Sequence, residues 1–403
     1  MQEVYIVEPL RTPIGKYGGA LSSIRPDDLA AHIIKAVVNK TGINPEFIDD
    51  VIMGCANQAG EDNRNIARMS ALLAGLPYSV PGVTVNRLCA SSLEAMIQGA
   101  RAIKSGEANI LIVGGVESMS RAPYALPKNA SGAAIFGNLT AYDTALGWRF
   151  PNPDMASMFP LETMGETAEN LVERYSIARV DQDAFALSSH MKASKAQVDG
   201  HFADEIVPIT IPKKKGEPII ISEDEQPRTD SSIESLAKLS PAFRKGGSVT
   251  AGNSSSLNDG AVAMLLASGD AVEKYGLKPI ARYVASGTAG VDPRIMGIGP
   301  VYAIRKALEQ AGMNLHDIGL FELNEAFASQ ALSCIRELGI NPDIVNIHGG
   351  AIALGHPLGM SGGRIAGHLA RTMQKNDIQY GIASLCIGVG QGLAIIIERV
   401  DPR

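Results

Sequence analysis

The stretch VTVNRLCASSLEAMIQGARAIKSGEANILIV, residues 83–113, sets the fold class. It opens on a β-branched run at 83–85, which reads as a buried strand. Cys89 follows at once, and Leu93, Met96, Ile97, Ala100 and Ile103 then recur at helical spacing. Gly106 ends that helix, as glycine does just past a helix terminus. Residues 110–113 are wholly apolar, which fits a strand covered on both faces of a parallel sheet. Strand, helix and strand in so short a span make an α/β unit.

The same grammar extends outward. Residues 4–7 read as a strand, and Asp27 or Asp28 suits the cap of a helix carrying Leu29, Ile33, Ile34 and Val37. A strand is expected at 51–53 and a helix at 63–76. From 121 to 247 the character changes, and proline, glycine and asparagine crowd 123–160. Helices are expected there at 167–175 and 181–198. Residues 206–221 read as two strands joined at a solvated tip, Lys213 to Gly216. A buried strand returns at 261–267.

The C-terminal part repeats the N-terminal part. Residues 34–37, Gly42-Ile43-Asn44 and 51–53 are answered by 305–308, Gly312-Met313-Asn314 and 321–323, at an offset of about 270 residues. The strand at 83–85, the Cys89 helix and the strand at 110–113 are answered by 344–347, a helix at Arg364 and 381–385. Two similar α/β halves with an insert in the first are therefore expected. The division is residues 1–120 with 247–275, an inserted unit at 121–246, and 276–403.

Composition narrows the function. The 403 residues are 45% hydrophobic and 19% charged, with a net charge of −6 and no basic stripe to track nucleic acid. No apolar run is long enough to span a bilayer. The opening MQEVYIVEPLRTP has neither a secretory nor a transit pattern, and Asp401-Pro402-Arg403 is no address signal. A cytoplasmic protein is the default expectation. Cys55, Cys89, Cys334 and Cys386 fit neither a zinc site nor a disulfide framework. Each is thus a small buried residue or a reactive thiol.

Residues 346–364, NIHGGAIALGHPLGMSGGR, set one imidazole, His356, among glycines. Glycine is costly to order, so it signals close backbone approach or unusual dihedrals. The stretch reads as a rigid loop presenting His356, with a helix leaving it at Arg364; taken alone, it could also be a glycine-rich turn with an incidental histidine. Cys89 stands where a helix dipole would lower a thiol pKa. Cys386, in SLCIGVGQG, ends the last apolar strand, and Asn324 ends the strand at 321–323. Ligands gather at the carboxyl ends of parallel strands, so Cys89, Asn324, His356 and Cys386 are expected to share one crevice. Glu325 reads as a first-turn acid of the next helix in preference to an orienting carboxylate, and Cys334 and Cys55 read as packing.

These motifs resemble the thiolase family, acetyl-CoA C-acyltransferases. The resemblance spans the chain through NRLCASSLEA at Cys89, GGVESMSRAPY at 114–124, AGNSSSLNDGA from Ala251, NEAFA at Asn324, GGAIALGHPLGMSGGR at His356 and LCIGVGQG at Cys386. It implies a duplicated five-layer α/β/α/β/α fold with a loop domain over the CoA site. It implies an acyl group carried on Cys89, activation by His356, and proton transfer at the substrate α-carbon by Cys386. Asn324 would hold a water that binds the thioester oxygen together with His356. The Cys89 and Gly388 backbone N–H groups would form a second oxyanion hole. Arg228, Ser255, Met164, Ala326 and Phe327 would contact CoA. No tightly bound cofactor and no metal are implied; CoA and acyl-CoA are substrates, and the assembly is a homodimer or homotetramer. A β-ketoacyl synthase shares the fold but lacks a second catalytic cysteine. Ala90-Ser91-Ser92 departs from the family's Gly-Ser-Gly, and Thr163 stands where acetoacetyl-CoA-tuned members carry histidine. The segments QAGEDNRN, 58–65, and GWRFPNP, 147–153, are closer to degradative thiolases, including the 3-oxoadipyl-CoA type.

Overall fold

A computed structural model describes residues 2–128, 137–213 and 215–401. Its centre is one mixed sheet of ten strands. The strands of the first half are β1 (Val4–Arg11), β2 (Asp50–Gly54), β3 (Gly82–Val85), β4 (Ile110–Ser118) and β5 (Asn258–Ser268). The second half supplies β6 (Pro279–Gly290), β7 (Leu320–Leu323), β8 (Tyr380–Ile387) and β9 (Gln391–Arg399). The order is β7-β8-β9-β6-β1-β5-β4-β2-β3, with the short strand Gly15–Lys16 paired to β5.

The expected duplication is visible in the pairing. β1 and β6 meet in the middle, antiparallel, through Tyr5 and Arg282, Ile6 and Ala281, and Val7 and Pro279. Outward from β1, β5 and β4 are added antiparallel, then β2 and β3 parallel. Outward from β6, β9 and β8 are added antiparallel, then β7 parallel. Val345 completes the series with a single parallel bridge to Phe321. The strand expected at 344–347 is thus reduced to that bridge after a 3-10 turn, Pro342–Ile344. Its counterpart β3 is an edge strand with Val83 at 43% exposure, not the buried strand expected.

Helices α1 (Pro26–Thr41) and α2 (Ile66–Leu73) cover the outside of the first half, and α6 (Gly299–Ala311) and α7 (Ala328–Leu338) that of the second. Between the half-sheets lie α3 (Ser91–Ser105) and α8 (Leu358–Asn376), which touch each other and strands of both halves. This is the five-layer α/β/α/β/α arrangement. The layers enclose apolar cores around the middle helices and under each outer pair.

The insert carries α4 (Met164–Tyr175), α5 (Arg179–Val198) and a hairpin of Ile209–Ile211 with Ile219–Ile221. The hairpin agrees with the expectation; Lys214 of its tip lies outside the described residues, as do Pro402 and Arg403. Arg11, at the end of β1, anchors this unit. Its guanidinium donates to Glu205 at 2.7 Å and to both oxygens of Asp224 at 2.7 and 2.9 Å, all buried. His368 on α8 meets the other Glu205 oxygen at 2.8 Å. The Arg11 guanidinium and the His368 contact hold Glu205 well below the usual carboxylate range despite burial.

Several boundaries differ from the sequence reading. Asp27 and Asp28 lie in the first turn of α1, whose cap position, Arg25, makes no side-chain capping bond to the helix N–H groups. α2 begins at Ile66 because Asn63 and Arg64 hold positive φ and Asn65 caps the helix by accepting from Arg68 N–H. The largest difference is α8. It begins at Leu358, so Gly359, Gly362 and Gly363 lie inside the helix and not in a ligand-facing loop. A Cβ on Gly359 would stand 2.2 Å from the Val116 carbonyl, and one on Gly362 would stand 2.6 Å from Leu93 Cβ. These glycines let α8 sit down on α3 and β4.

Gly362→Ala tests this. In an open helix glycine to alanine stabilises by up to ~1 kcal/mol. Here it should destabilise by about 1–3 kcal/mol through overpacking, seen as a lower urea midpoint at unchanged m-value. A gain in stability would refute the packing role.

Candidate active site

The site is built where the two middle helices begin. Gly363 N–H, on α8, donates to Ser92 Oγ, on α3, at 2.8 Å, so the two N-termini are pinned side by side. Cys89 lies just before α3, in a 3-10 turn, Leu88–Ala90. His356 lies just before α8, and Cys386 near the end of β8. Cys89, His356, Cys386 and Gly388 line one cavity of about 600 Å³, and so do Met164, Ser255, Ala326 and Phe327.

The Cys89 turn is shaped by local polar bonds. Leu88 takes a left-handed φ of 47°, with its N–H donating to Asn86 Oδ1 at 2.9 Å. Ser91 Oγ donates to the Leu88 carbonyl at 2.6 Å. Arg87 clamps the turn: Nε donates to Glu94 at 2.8 Å and Nη1 to Gln391 Oε1 at 2.9 Å. That second bond ties the Cys89 turn to the Cys386 turn. There Val389, a β-branched residue, is held at φ 63°, and Gly390 at φ 81°. Such strain costs of order 1–3 kcal/mol and persists only where surroundings enforce it. It leaves the Gly388 N–H directed at the Cys89 sulfur.

Burial outweighs the helix dipole at Cys89. It pushes the thiol up to about 11, against hydrogen bonds from the Gly388 and Cys89 N–H groups, and Glu117 adds to the rise. The expected lowering at the start of α3 is therefore absent in the ligand-free site. Burial likewise pushes the Cys386 thiol well above its ordinary range, helped by the neighbouring Cys89.

His356 is 5% exposed, and burial pushes its imidazole down to about 3, with the Arg364 charge adding to the effect. Its backbone N–H donates to Asn258 Oδ1 at 2.9 Å. Ser361 Oγ donates to the Pro357 carbonyl at 2.9 Å and lies 2.6 Å from His356 Nδ1. A carbonyl only accepts, so the hydroxyl proton serves Pro357 and Nδ1–H donates to Oγ. Nε2 is left with its lone pair, and Asn324 Nδ2 stands 3.3 Å from Nε2 and 3.5 Å from Nδ1, against the ring and not on the axis of either nitrogen. Asn324 is 1% exposed and stands behind the imidazole, off the cavity wall. Its Oδ1 is buried with no partner among the described residues.

Glu325 is not a first-turn acid: α7 starts at Ala328. Its buried carboxylate accepts from Ser189 Oγ at 2.6 Å, Asn346 Nδ2 at 2.8 Å and Ile352 N–H at 3.2 Å. It fastens the Asn324 segment to the His356 segment and to α5, as an orienting carboxylate would. Cys334 and Cys55 are packing residues, as expected: both are buried, with sulfurs on the carbonyls of Gly297 and Asn57. Arg228 stands exposed outside the cavity wall, its N–H on His190 Nδ1 at 3.3 Å.

Glu117 escaped the sequence reading, although it lies in the quoted GGVESMSRAPY. Its buried carboxylate accepts N–H bonds from Ala56, Asn57 and Gly359 at 2.9, 3.0 and 2.9 Å. Burial still pushes it up to about 7. A carboxylate so held ties the segment after β2 to the first turn of α8, and it lines the cavity beside Cys89.

A thiol, an imidazole and a second thiol, with aimed backbone N–H groups, define an acyl-transferring enzyme that works through a cysteine thioester. Comparison places it further. Residues 4–270 match the thiolase N-terminal domain and residues 277–399 the thiolase C-terminal domain. The chain is 54% identical, over 99% of its length and 100% of the relative's, to the beta-ketoadipyl-CoA thiolase of Acinetobacter baylyi. The crystal structure of Bacillus anthracis acetyl-CoA acetyltransferase superposes with TM-score 0.93 at 44% identity, covering 99% of each chain. Human mitochondrial 3-ketoacyl-CoA thiolase in complex with CoA superposes with TM-score 0.92 at 40% identity, covering 99% of this chain and 98% of that one. The chain belongs to the thiolase family.

A neutral thiol at Cys89 and a neutral imidazole at His356 share the cavity wall. Iodoacetamide labelling of Cys89 in the ligand-free enzyme, located by peptide mass spectrometry, should therefore climb about tenfold per pH unit from 7 to 9, because only the thiolate reacts. A plateau below pH 8 would mean that His356 preforms the thiolate.

Proposed function

We propose that this thiolase cleaves 3-oxoacyl-CoA substrates of the 3-oxoadipyl-CoA type to acetyl-CoA and a shortened acyl-CoA, reversibly, through acyl-Cys89. The observation that carries the chemistry is the convergence of Cys89, His356, Cys386 and the Gly388 N–H on one cavity wall. The names of the most similar relatives and Thr163 on the wall, in place of histidine, support the substrate reading.

In thiolysis, the Cys89 proton passes to His356 Nε2 and the sulfur attacks substrate C3. The oxygen that gains charge is held by the Cys89 and Gly388 N–H groups, each such donor being worth ~3 kcal/mol. The C2–C3 bond breaks, and its electrons form the acetyl-CoA enolate. The enolate oxygen is held by His356 Nε2–H and a water on Asn324 Oδ1. Cys386, a neutral thiol because it is buried, gives its proton to C2. The resulting Cys386 thiolate then takes the proton of incoming CoA, whose sulfur attacks acyl-Cys89. Cys89 leaves and recovers its proton from His356. A thioester on Cys89 is close in energy to acyl-CoA, so both directions run.

The pantetheine arm runs past Met164, Ser255, Ala326 and Phe327, and the phosphate-bearing end reaches over the 121–246 insert to Arg228. The enzyme assembles as a homodimer or homotetramer in the cytoplasm. The open edge of β3, with Val83 and Tyr78 exposed, and the exposed Tyr124, Leu126 and Leu139 favour self-association. No helix of the described residues is long and apolar enough to cross a membrane.

Incubation with acetyl-CoA should acetylate Cys89, as read by peptide mass spectrometry. Cys386→Ser should still acetylate but lose exchange of acetyl α-hydrogens with deuterated solvent by about 10²-fold or more, while Cys89→Ala should lose the adduct. Label on Cys386 with Cys89 clean, or rapid exchange in Cys386→Ser, contradicts the assignment of roles. Arg228→Ala should raise the CoA KM several-fold at nearly constant kcat, as lost uniform binding does; an unchanged KM removes Arg228 from the CoA path. Thiolysis rates across 3-oxoacyl chain lengths, 3-oxoadipyl-CoA included, test the substrate reading.

A further inference from the structure

The cavity wall is mostly apolar, but it carries three charged side chains: Glu117, Glu162 and Arg149. Two of them are already occupied. Glu162 accepts from Arg294 at 3.0 and 3.2 Å and from Asn170 at 3.0 Å. Glu117 accepts its three backbone N–H bonds. Arg149 differs. Among the described residues it is the one lysine or arginine on the wall, and it makes a single hydrogen bond there, Nη1 to the Thr144 carbonyl at 3.1 Å. No carboxylate pairs with it among the described residues. Arg121, in the same insert, is by contrast bound to both oxygens of Glu61.

The position of Arg149 is fixed. The chain turns through positive φ on either side, 86° at Gly147 and 49° at Phe150. Its anchor, Thr144, also accepts from Asn57 Nδ2, at 3.0 Å on Oγ1 and 3.3 Å on the carbonyl. The Asn57 N–H is on Glu117, and Glu117 is near enough to act on the Cys89 thiol. A short chain of hydrogen bonds thus links Arg149 to the nucleophile's neighbourhood through Thr144, Asn57 and Glu117. A half-buried guanidinium on an apolar wall is poorly solvated, and a ligand carboxylate would satisfy it through two parallel N–H bonds.

We propose that Arg149 forms a subsite for the terminal carboxylate of a dicarboxylyl acyl chain. This rests on the dicarboxylyl reading of the substrate given above. The chemistry fits both half-reactions. Thiolysis of 3-oxoadipyl-CoA leaves a succinyl thioester on Cys89, with its carboxylate two methylenes beyond the acyl carbonyl. The anion therefore stays in the cavity after acetyl-CoA leaves, and one fixed cation serves substrate and acyl-enzyme alike. The Asn57–Thr144 pair is the positioning element behind it.

The test is a ratio. kcat/KM for thiolysis is measured on 3-oxoadipyl-CoA and on 3-oxohexanoyl-CoA, which has the same length and a methyl end. Wild-type enzyme should favour the acid. Arg149→Gln should lower the acid-to-methyl ratio by at least about thirtyfold, the loss of a charge-assisted pair, and Arg149→Lys should restore part of it. A selective wild type whose ratio survives Arg149→Gln, or a loss equal on both substrates, would overturn the role of Arg149 alone. A wild type indifferent to the end group would overturn the dicarboxylyl reading itself, and the subsite with it.

Discussion

The contact between the first turns of the two middle helices is the constraint on which the site depends. Gly362 meets Leu93, Gly363 N–H bonds Ser92 Oγ, and the Gly359 carbonyl closes on Gly115. Side chains at these glycines would hold the helices apart by a methyl group or more. With the backbones in contact, the residues just ahead of each helix, Cys89 and His356, converge by geometry. A duplicated fold supplies the two helices from opposite halves, so the site exists only when the halves pack.

Electrostatics at the site follows from how dry that junction is. A helix N-terminus stabilises a thiolate by an amount typical of surface dipoles, up to ~2 kcal/mol. Desolvation of an ionised thiol opposes it, and the Cys89 thiol, although part-exposed, rises instead of falling. The same burial keeps His356 neutral and Cys386 protonated. These are the states that thiolysis needs at its start: a base able to take a proton and an acid able to give one. Charge develops only when substrate fills the cavity and aims its carbonyl at the waiting N–H groups.

Buried carboxylates do the positioning. Glu117 gathers the segment after β2 and the start of α8, and Glu325 gathers the Asn324 and His356 segments against α5. Arg11 pairs with Glu205 and Asp224 to seat the insert on the sheet. Each uses full hydrogen bonding to offset the cost of burying charge. The insert then brings Met164, Trp148 and Arg149 to the cavity wall, so it contributes to recognition as well as enclosure.

The sequence by itself determined the architecture and singled out the candidate reacting groups. Helical spacing after Cys89, the apolar run at 110–113 and the repeat near residue 305 are local or periodic signals, and they gave the two α/β halves. Cys89 and Cys386 were legible from strand ends, where sites gather, and His356 from the glycines around it, although it follows the short helix Ala351–Leu354 and not a strand. What stayed hidden depends on neighbours distant in sequence. The glycines of 359–363 looked like loop glycines, since nothing local shows that Leu93 and Val116 press against them. Glu117 and Glu325 looked like ordinary acids, since their partners lie tens to more than two hundred residues away. The rise of the Cys89 thiol and an Arg149 with no carboxylate partner among the described residues are likewise properties of enclosure. Burial, close approach and unmatched charge arise only when separate segments share one space, and only the tertiary structure decides them.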